Sequence, residues 1–210
     1  MSTHKKISSN IPNKRKLYYL PIVHTQTDMG DQSSIVRDAY VKKMGLQAWR
    51  RKKLSIDHYW NELAKTVKNL NLPFPNTKIY QDGLPFSDDG KETALVERLA
   101  SAGSLNHRLV KQLIDKGAVL VGTESPDLLI EEYNLAIEAF HESASTDPEK
   151  LVNNQSEEIL KQRDEFIAKR INQTLNPGEV GVLFIGMLHN VIPLLDDDIE
   201  VATPIAPVIT

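Results

Sequence analysis

Residues 180–186, VGVLFIG, are the feature that most constrains how this chain can fold. The run has no polar side chain and is rich in β-branched, aliphatic and aromatic residues, which is typical of a strand buried on both faces. Such a strand requires helices on both sides of a largely parallel sheet. His189 follows Gly186 by three residues, and ligands of open α/β sheets bind beyond the carboxyl ends of the strands. His189 is therefore the first candidate site residue.

The rest of the chain alternates between strand-like and helix-like segments. Strands are predicted at 17–23, 78–84, 118–122, 180–186 and 199–205, and the prolines in and after the last segment favour an edge position. Helices are predicted at 34–70 with a break near Gly45, and at 91–101, 104–115, 126–143 and 148–175. This alternation predicts a single α/β domain over residues 17–210, with a largely parallel β-sheet covered by α-helices.

Composition limits the classes of protein to which the chain can belong. Its 210 residues suffice for one domain with a substantial core, and its net charge of -3 argues against a nucleic-acid partner for the whole protein. The absence of cysteine fits a reducing compartment, so we expect a cytoplasmic protein. The longest apolar run is far shorter than the roughly 20 residues of a membrane span. Residues 1–16 are basic and lack the apolar stretch of a secretory signal, so we expect a disordered arm.

Polar side chains follow four of the predicted strands. His24 closes the first, Asp82 the second, Glu124 the third and His189 the fourth. If the strands are parallel, these side chains gather along one edge of the sheet. His24 and His189, with Glu124 or Asp82, have the residue types of a divalent-metal site. The histidines are equally suited to general acid–base chemistry, because imidazole titrates near neutral pH.

Arg163 lies on the apolar side of the helix that precedes the apolar strand. It is four residues from both Ile159 and Ile167. The apolar stripe consists of Ile159, Leu160, Phe166, Ile167, Ile171 and Leu175. A buried arginine needs an anionic partner, which a carboxylate at the strand ends or an anionic ligand would supply. The alternative is that its aliphatic stem follows the stripe to the surface and its guanidinium stays in water.

Residues 163–191 resemble the C-terminal signature of the TraB/Tiki/ChaN-like superfamily. Its members have an Arg-Asn or similar pair on a helix, then a strand, then a Gly-x-x-His motif. Arg163–Asp164 and Gly186–Met187–Leu188–His189 stand at these positions, with aspartate in place of asparagine. The first motif of the superfamily is another Gly-x-x-His, at which this chain has His24 but Pro21 instead of glycine. The family's glutamate after a middle strand corresponds to Glu124.

The resemblance implies a fold and a site more firmly than a reaction, because members catalyse metal-dependent proteolysis or ester-like hydrolysis, or bind haem. The leading hypothesis is a hydrolase of a small-molecule or peptide substrate. His24, His189 and Glu124 would bind a divalent metal of the Mn, Co or Zn class, or the histidines would transfer protons. Glu124 would be a ligand or general base, and Arg163 would hold it or stabilise developing negative charge. The alternatives are a non-catalytic haem- or anion-binding sensor, and a scaffold whose basic arm contacts a partner.

Overall fold

Strands and helices alternate along the residues that the computed structural model describes, which are 14–23, 32–142 and 149–205. The strands are β1 (Arg15–Ile22), β2 (Thr77–Gln81), β3 (Val119–Val121), β4 (Val180–Gly186) and β5 (Ile199–Ala202). The helices are α1 (Gln32–Met44), α2 (Leu46–Asn69), α3 (Glu92–Ser101), α4 (Leu105–Asp115), α5 (Pro126–Glu142) and α6 (Glu149–Thr174). Short 3-10 helices cover Phe74–Asn76 and Ile192–Leu194. The predicted elements, including the break at Gly45, are confirmed to within a few residues.

The five strands form one sheet in the order β3-β2-β4-β1-β5, and every neighbouring pair is parallel. The predicted single α/β domain with a parallel sheet is therefore confirmed. β4 is the central strand and pairs with both β1 and β2, which explains its lack of polar side chains. β5 lies at an edge of the sheet, and Pro204, which follows it, removes no ladder hydrogen bond.

Side chains of β4 alternate between two apolar cores, one on each face of the sheet. Val182 and Phe184 pack with the inner sides of α2 and α4, and Leu183 and Ile185 pack with α6. All four are fully buried. Burial of one such side chain contributes roughly 1.5–3 kcal/mol, so the apolar strand is a main source of stability.

The first strand begins earlier than predicted. Residues 15 and 16, which were assigned to the disordered arm, are in β1, and Arg15 is buried. Its guanidinium pairs with the carboxylates of Asp196 and Asp198 and donates to the carbonyl oxygens of Asn172 and Leu175. This network allows a basic residue to be buried in the strand. The basic character of the neighbouring sequence did not predict that burial. Residues 1–13 of the arm lie outside the described residues.

The loops after β2 and β3 are joined at the carboxyl edge of the sheet. The backbone N–H groups of Thr123 and Glu124 both donate to the carbonyl oxygen of Leu84, each at 3.0 Å. Gly122 permits this approach, since a Cβ atom there would lie 2.5 Å from Cα of Phe86. The two loops therefore hold a fixed position beyond the strand ends. Among the described residues, no helix is both long enough and apolar enough to cross a bilayer.

Candidate metal centre

Asp82, Glu124 and His189 meet beyond the carboxyl ends of β2, β3 and β4. One potential ligand atom from each lies within 4.8 Å of the others. Their exposed fractions are 6%, 0% and 9%, so the cluster is buried. The structure brings together Glu124 and His189 of the predicted metal set, with Asp82 as the third member. His24 lies outside the described residues.

Asp82 is fixed by the backbone of the central strand. Its N–H donates to the carbonyl oxygen of Phe184 at 2.9 Å, which continues the β2–β4 ladder by one residue. Its Oδ2 accepts a hydrogen bond of 2.9 Å from the backbone N–H of Gly186. These contacts hold the carboxylate against β4, and its Oδ1 lies 3.5 Å from Nε2 of His189.

Arg163 is buried, with an exposed fraction of 5%, so the surface alternative is excluded. Its Nε donates to Oε2 of Glu124 at 3.2 Å, and its Nη2 donates to Glu124 at 2.7 Å and to Asp82 at 2.8 Å. Its Nη1 donates to both carboxylate oxygens of Glu132, each at 2.8 Å. These contacts engage all three nitrogens of the guanidinium. Arg163 is therefore suited to holding Glu124 in place.

His189 is oriented by Asp164 of α6. Its Nδ1 lies 2.6 Å from Oδ1 of Asp164, whose other oxygen accepts from the backbone N–H of Asn190 at 2.8 Å. Because a carboxylate only accepts, the proton of this contact is on Nδ1. Nε2 then faces Asp82, on the side where a ligand to a metal is needed. Histidines that bind metals almost always donate their other ring N–H to a carboxylate, a backbone carbonyl or water.

The pKa values at the site reflect burial opposed by charge. Burial lowers the pKa of His189, but its hydrogen bonds to Asp164 and Asp82 outweigh this and raise the pKa to about 9. Burial raises the pKa of Glu124, and Arg163 opposes that rise. The pKa of Arg163 is raised because Glu124 and Asp82 outweigh the effect of its burial. At this site, the partners of each buried group therefore stabilise its charged form against the effect of burial.

Among the described residues, the carboxylates at the centre outnumber the cationic groups. The carboxylates are those of Asp82, Glu124, Glu132 and Asp164, and the cationic groups are those of Arg163 and His189. Four carboxylates against two cationic groups leave a surplus of negative charge even when the imidazole is protonated. The surplus among these described side chains favours a cation over an anionic ligand.

Two of these side chains were missed by sequence reasoning. Asp164 was noted only as a replacement for the asparagine of the superfamily, although its position beside Arg163 was a usable signal. Glu132 gave no signal, because a half-buried acidic residue on α5 looks like any residue of a solvated helix face.

Comparisons of the chain with protein-family models, with curated proteins and with solved structures find no match. The resemblance of residues 163–191 to the TraB/Tiki/ChaN-like superfamily stays a prediction.

Proposed function

We propose that this protein is a metal-dependent hydrolase whose Asp82, Glu124 and His189 bind one divalent cation of the Mn, Co or Zn class. The observation that carries the proposal is the approach of three buried ligand atoms to within 4.8 Å of one another. The position of these atoms beyond the carboxyl ends of parallel strands supports the proposal, because that is where such folds bind ligands.

The ligand set fits this class of metal. Imidazole nitrogen suits first-row transition metals, and carboxylate oxygen suits the harder ions such as Mn²⁺. Three protein ligands leave a coordination position for water, which is the pattern of catalytic rather than structural sites. When bound, the metal would lower the pKa of that water and polarise a carbonyl group of the substrate.

The side chains divide into ligands and supports. His189 would bind through Nε2, while Nδ1–H donates to Asp164. Glu124 would bind while Arg163 neutralises part of its charge. The Gly-x-x-His and Arg-Asp resemblance of residues 163–191 to the TraB/Tiki/ChaN-like superfamily supports a site in this position. The surplus of carboxylates among the described residues favours a cation site over the alternative of a sensor that binds an anion.

The first test is metal binding by isothermal titration of chelator-treated protein with Mn²⁺, Co²⁺ and Zn²⁺. We expect one site in the wild type and its loss in His189→Ala. His58→Ala is the matched control, since His58 is exposed on α2. Absence of binding in the wild type, or equal binding in His189→Ala, would overturn the metal site.

The second test is turnover. Chromogenic esters and fluorogenic peptides are assayed with the best-binding metal, in the wild type and in Glu124→Gln, which retains the shape of the side chain. We expect hydrolysis that is lost with chelator and in the variant. A protein that binds metal and hydrolyses neither class would contradict the hydrolase. A haem titration with its Soret band then tests the haem-binding alternative.

A further inference from the structure

Glu132 reaches the metal centre from α5, outside the three strand ends. Both of its carboxylate oxygens lie 2.8 Å from Nη1 of Arg163. Its side chain is 45% exposed, whereas that of Arg163 is 6% exposed. Glu132 therefore binds the edge of the guanidinium that faces away from the ligands.

We propose that Glu132 is a positioning residue of the metal centre, which acts on the ligand Glu124 through Arg163. This inference rests on the proposed function, since it concerns the same metal site. Among the contacts of the described residues, Glu132 binds the guanidinium of Arg163, which holds the two carboxylate ligands, and not the ligands themselves.

The planarity of the guanidinium explains how the effect is transmitted. Arg163 presents Nε and Nη2 to Glu124, and Nη2 also to Asp82. Because the five N–H groups form a rigid fork, a carboxylate that fixes Nη1 also fixes the direction of the other donors. Without Glu132, rotation of the plane would change the orientation of the carboxylate of Glu124.

The negative charge of Glu132 also favours metal binding, as its positioning of Arg163 does. Arg163 places a positive charge beside two carboxylates that would bind a cation. Glu132 offsets that charge from the far edge. Removal of Glu132 leaves the guanidinium less compensated, and the cation is then bound less tightly. Water can replace the lost carboxylate at Nη1, because the side chain of Glu132 is half-exposed, so we expect the variants to fold.

A purely structural role is the plain alternative, because α5 packs against α6 and this ion pair joins the two helices. That alternative predicts a small loss of stability with no change in metal affinity. The proposal predicts that Glu132→Ala raises the Kd for the metal by about tenfold, as is typical when a supporting partner of a metal ligand is removed.

The experiment is titration of Glu132→Ala, Glu132→Gln and the wild type with the metal that the wild type binds best. Glu131→Ala is the control, because it removes the same charge from the adjacent, exposed residue of α5. We expect the tenfold rise in Kd for Glu132→Ala, a smaller rise for Glu132→Gln, and less than a twofold change for Glu131→Ala. Sodium formate, compared with sodium chloride at equal ionic strength, should restore the affinity of Glu132→Ala by supplying a carboxylate to Nη1.

The outcomes separate the inference from the proposed function. If the wild type binds no metal, both are overturned. If the wild type binds metal and Glu132→Ala binds it equally well, the positioning role is overturned and the metal site stands. An equal loss in Glu131→Ala, or a loss that formate does not reverse, would likewise overturn the role, because it would indicate a general effect of charge or of helix docking.

Discussion

At the scale of single residues, the chemistry of the centre depends on one buried guanidinium. Burial of an ion costs several kcal/mol unless partners compensate it, which is roughly the size of the whole stability of a small domain. Arg163 meets this cost with carboxylates that follow β2, follow β3 and lie on α5. The position of Arg163 on an apolar stripe left two alternatives open, a carboxylate partner at the strand ends or an exposed guanidinium. The structure has the first, and the additional partner Glu132 was not predicted.

Asp164 provides a test of how the supporting residues affect the metal. We expect Asp164→Ala to weaken metal binding by about 10- to 100-fold, because His189 loses the partner that orients its ring. Asp164→Asn should have a smaller effect, since the amide oxygen can still accept from Nδ1. The measurement is isothermal titration, with Glu165→Ala as an exposed control on the same helix. Wild-type affinity in Asp164→Ala would show that the ring is oriented by other contacts.

The sequence predicted those site residues that directly follow a strand, and it did not predict the others. Asp82, Glu124 and His189 each follow a strand by one to three residues, so a parallel sheet was enough to bring them together. The contacts of Asp164 and Glu132 depend instead on how α5 and α6 pack beyond the sheet. Nothing in the local sequence encodes that packing.

At the scale of elements, periodicity predicted where strands and helices lie but not their order in the sheet. The apolar stripe of α6 is buried at Ile159, Ile167 and Ile171, as its spacing predicted. The insertion of β4 between β1 and β2 was not predicted, because its pairing with β1 joins residues about 160 positions apart. Pairing at such a separation is decided by the match of whole apolar surfaces, not by local propensity.

The join between the loops after β2 and β3 gives a prediction at this scale. Gly122→Ala should lower the free energy of unfolding by about 3 kcal/mol, the upper part of the range for overpacked sites. The reason is that the new Cβ would lie 2.5 Å from the backbone Cα of Phe86, which cannot rotate away. The measurement is urea unfolding at equilibrium.

Gly181→Ala is the matched comparison for this substitution. Its Cβ would lie 2.6 Å from Cδ1 of Leu17, the far end of a side chain that can change its rotamer. We expect a loss of about 1 kcal/mol, near the lower end of the same range. Equal losses in the two variants would contradict the distinction between backbone and side-chain obstacles.

At the scale of the whole molecule, ionic clusters lie at both ends of an apolar sheet. Arg15 joins the start of β1 to the end of α6 and to the segment before β5, and its carboxylate partners Asp196 and Asp198 are about half-exposed. Arg163 is paired at the opposite edge with carboxylates that are almost fully buried. Because the carboxylates that pair with Arg15 keep about half of their surface in water, their desolvation costs little free energy. The desolvation of the carboxylates that pair with Arg163 costs more free energy. Such a cost is more typical of a functional site than of a structural one.

The stability of the whole molecule at high pH depends on a third buried group, the phenol of Tyr80 on β2. Burial raises the pKa of Tyr80 from 10.0 to about 12, although its hydrogen bond to Thr174 opposes this. Between these two pH values the unfolded chain releases the phenol proton and the folded chain retains it. The contribution of this group is therefore fully present below pH 10 and is lost as the pH rises through about 12.

We expect this loss to reach about 3 kcal/mol, since each pKa unit corresponds to about 1.4 kcal/mol. The measurement is urea unfolding of the wild type and Tyr80→Phe at several pH values between 9 and about 12, the upper value being the raised pKa of Tyr80. The variant should unfold with a shallower dependence on pH, but not a flat one, because burial also raises the pKa values of Tyr19 and Tyr59. Tyr133→Phe, at a half-exposed position of α5, should retain the wild-type dependence. The same dependence in Tyr80→Phe as in the wild type would mean that the phenol of Tyr80 ionises as readily in the folded protein as in the unfolded chain.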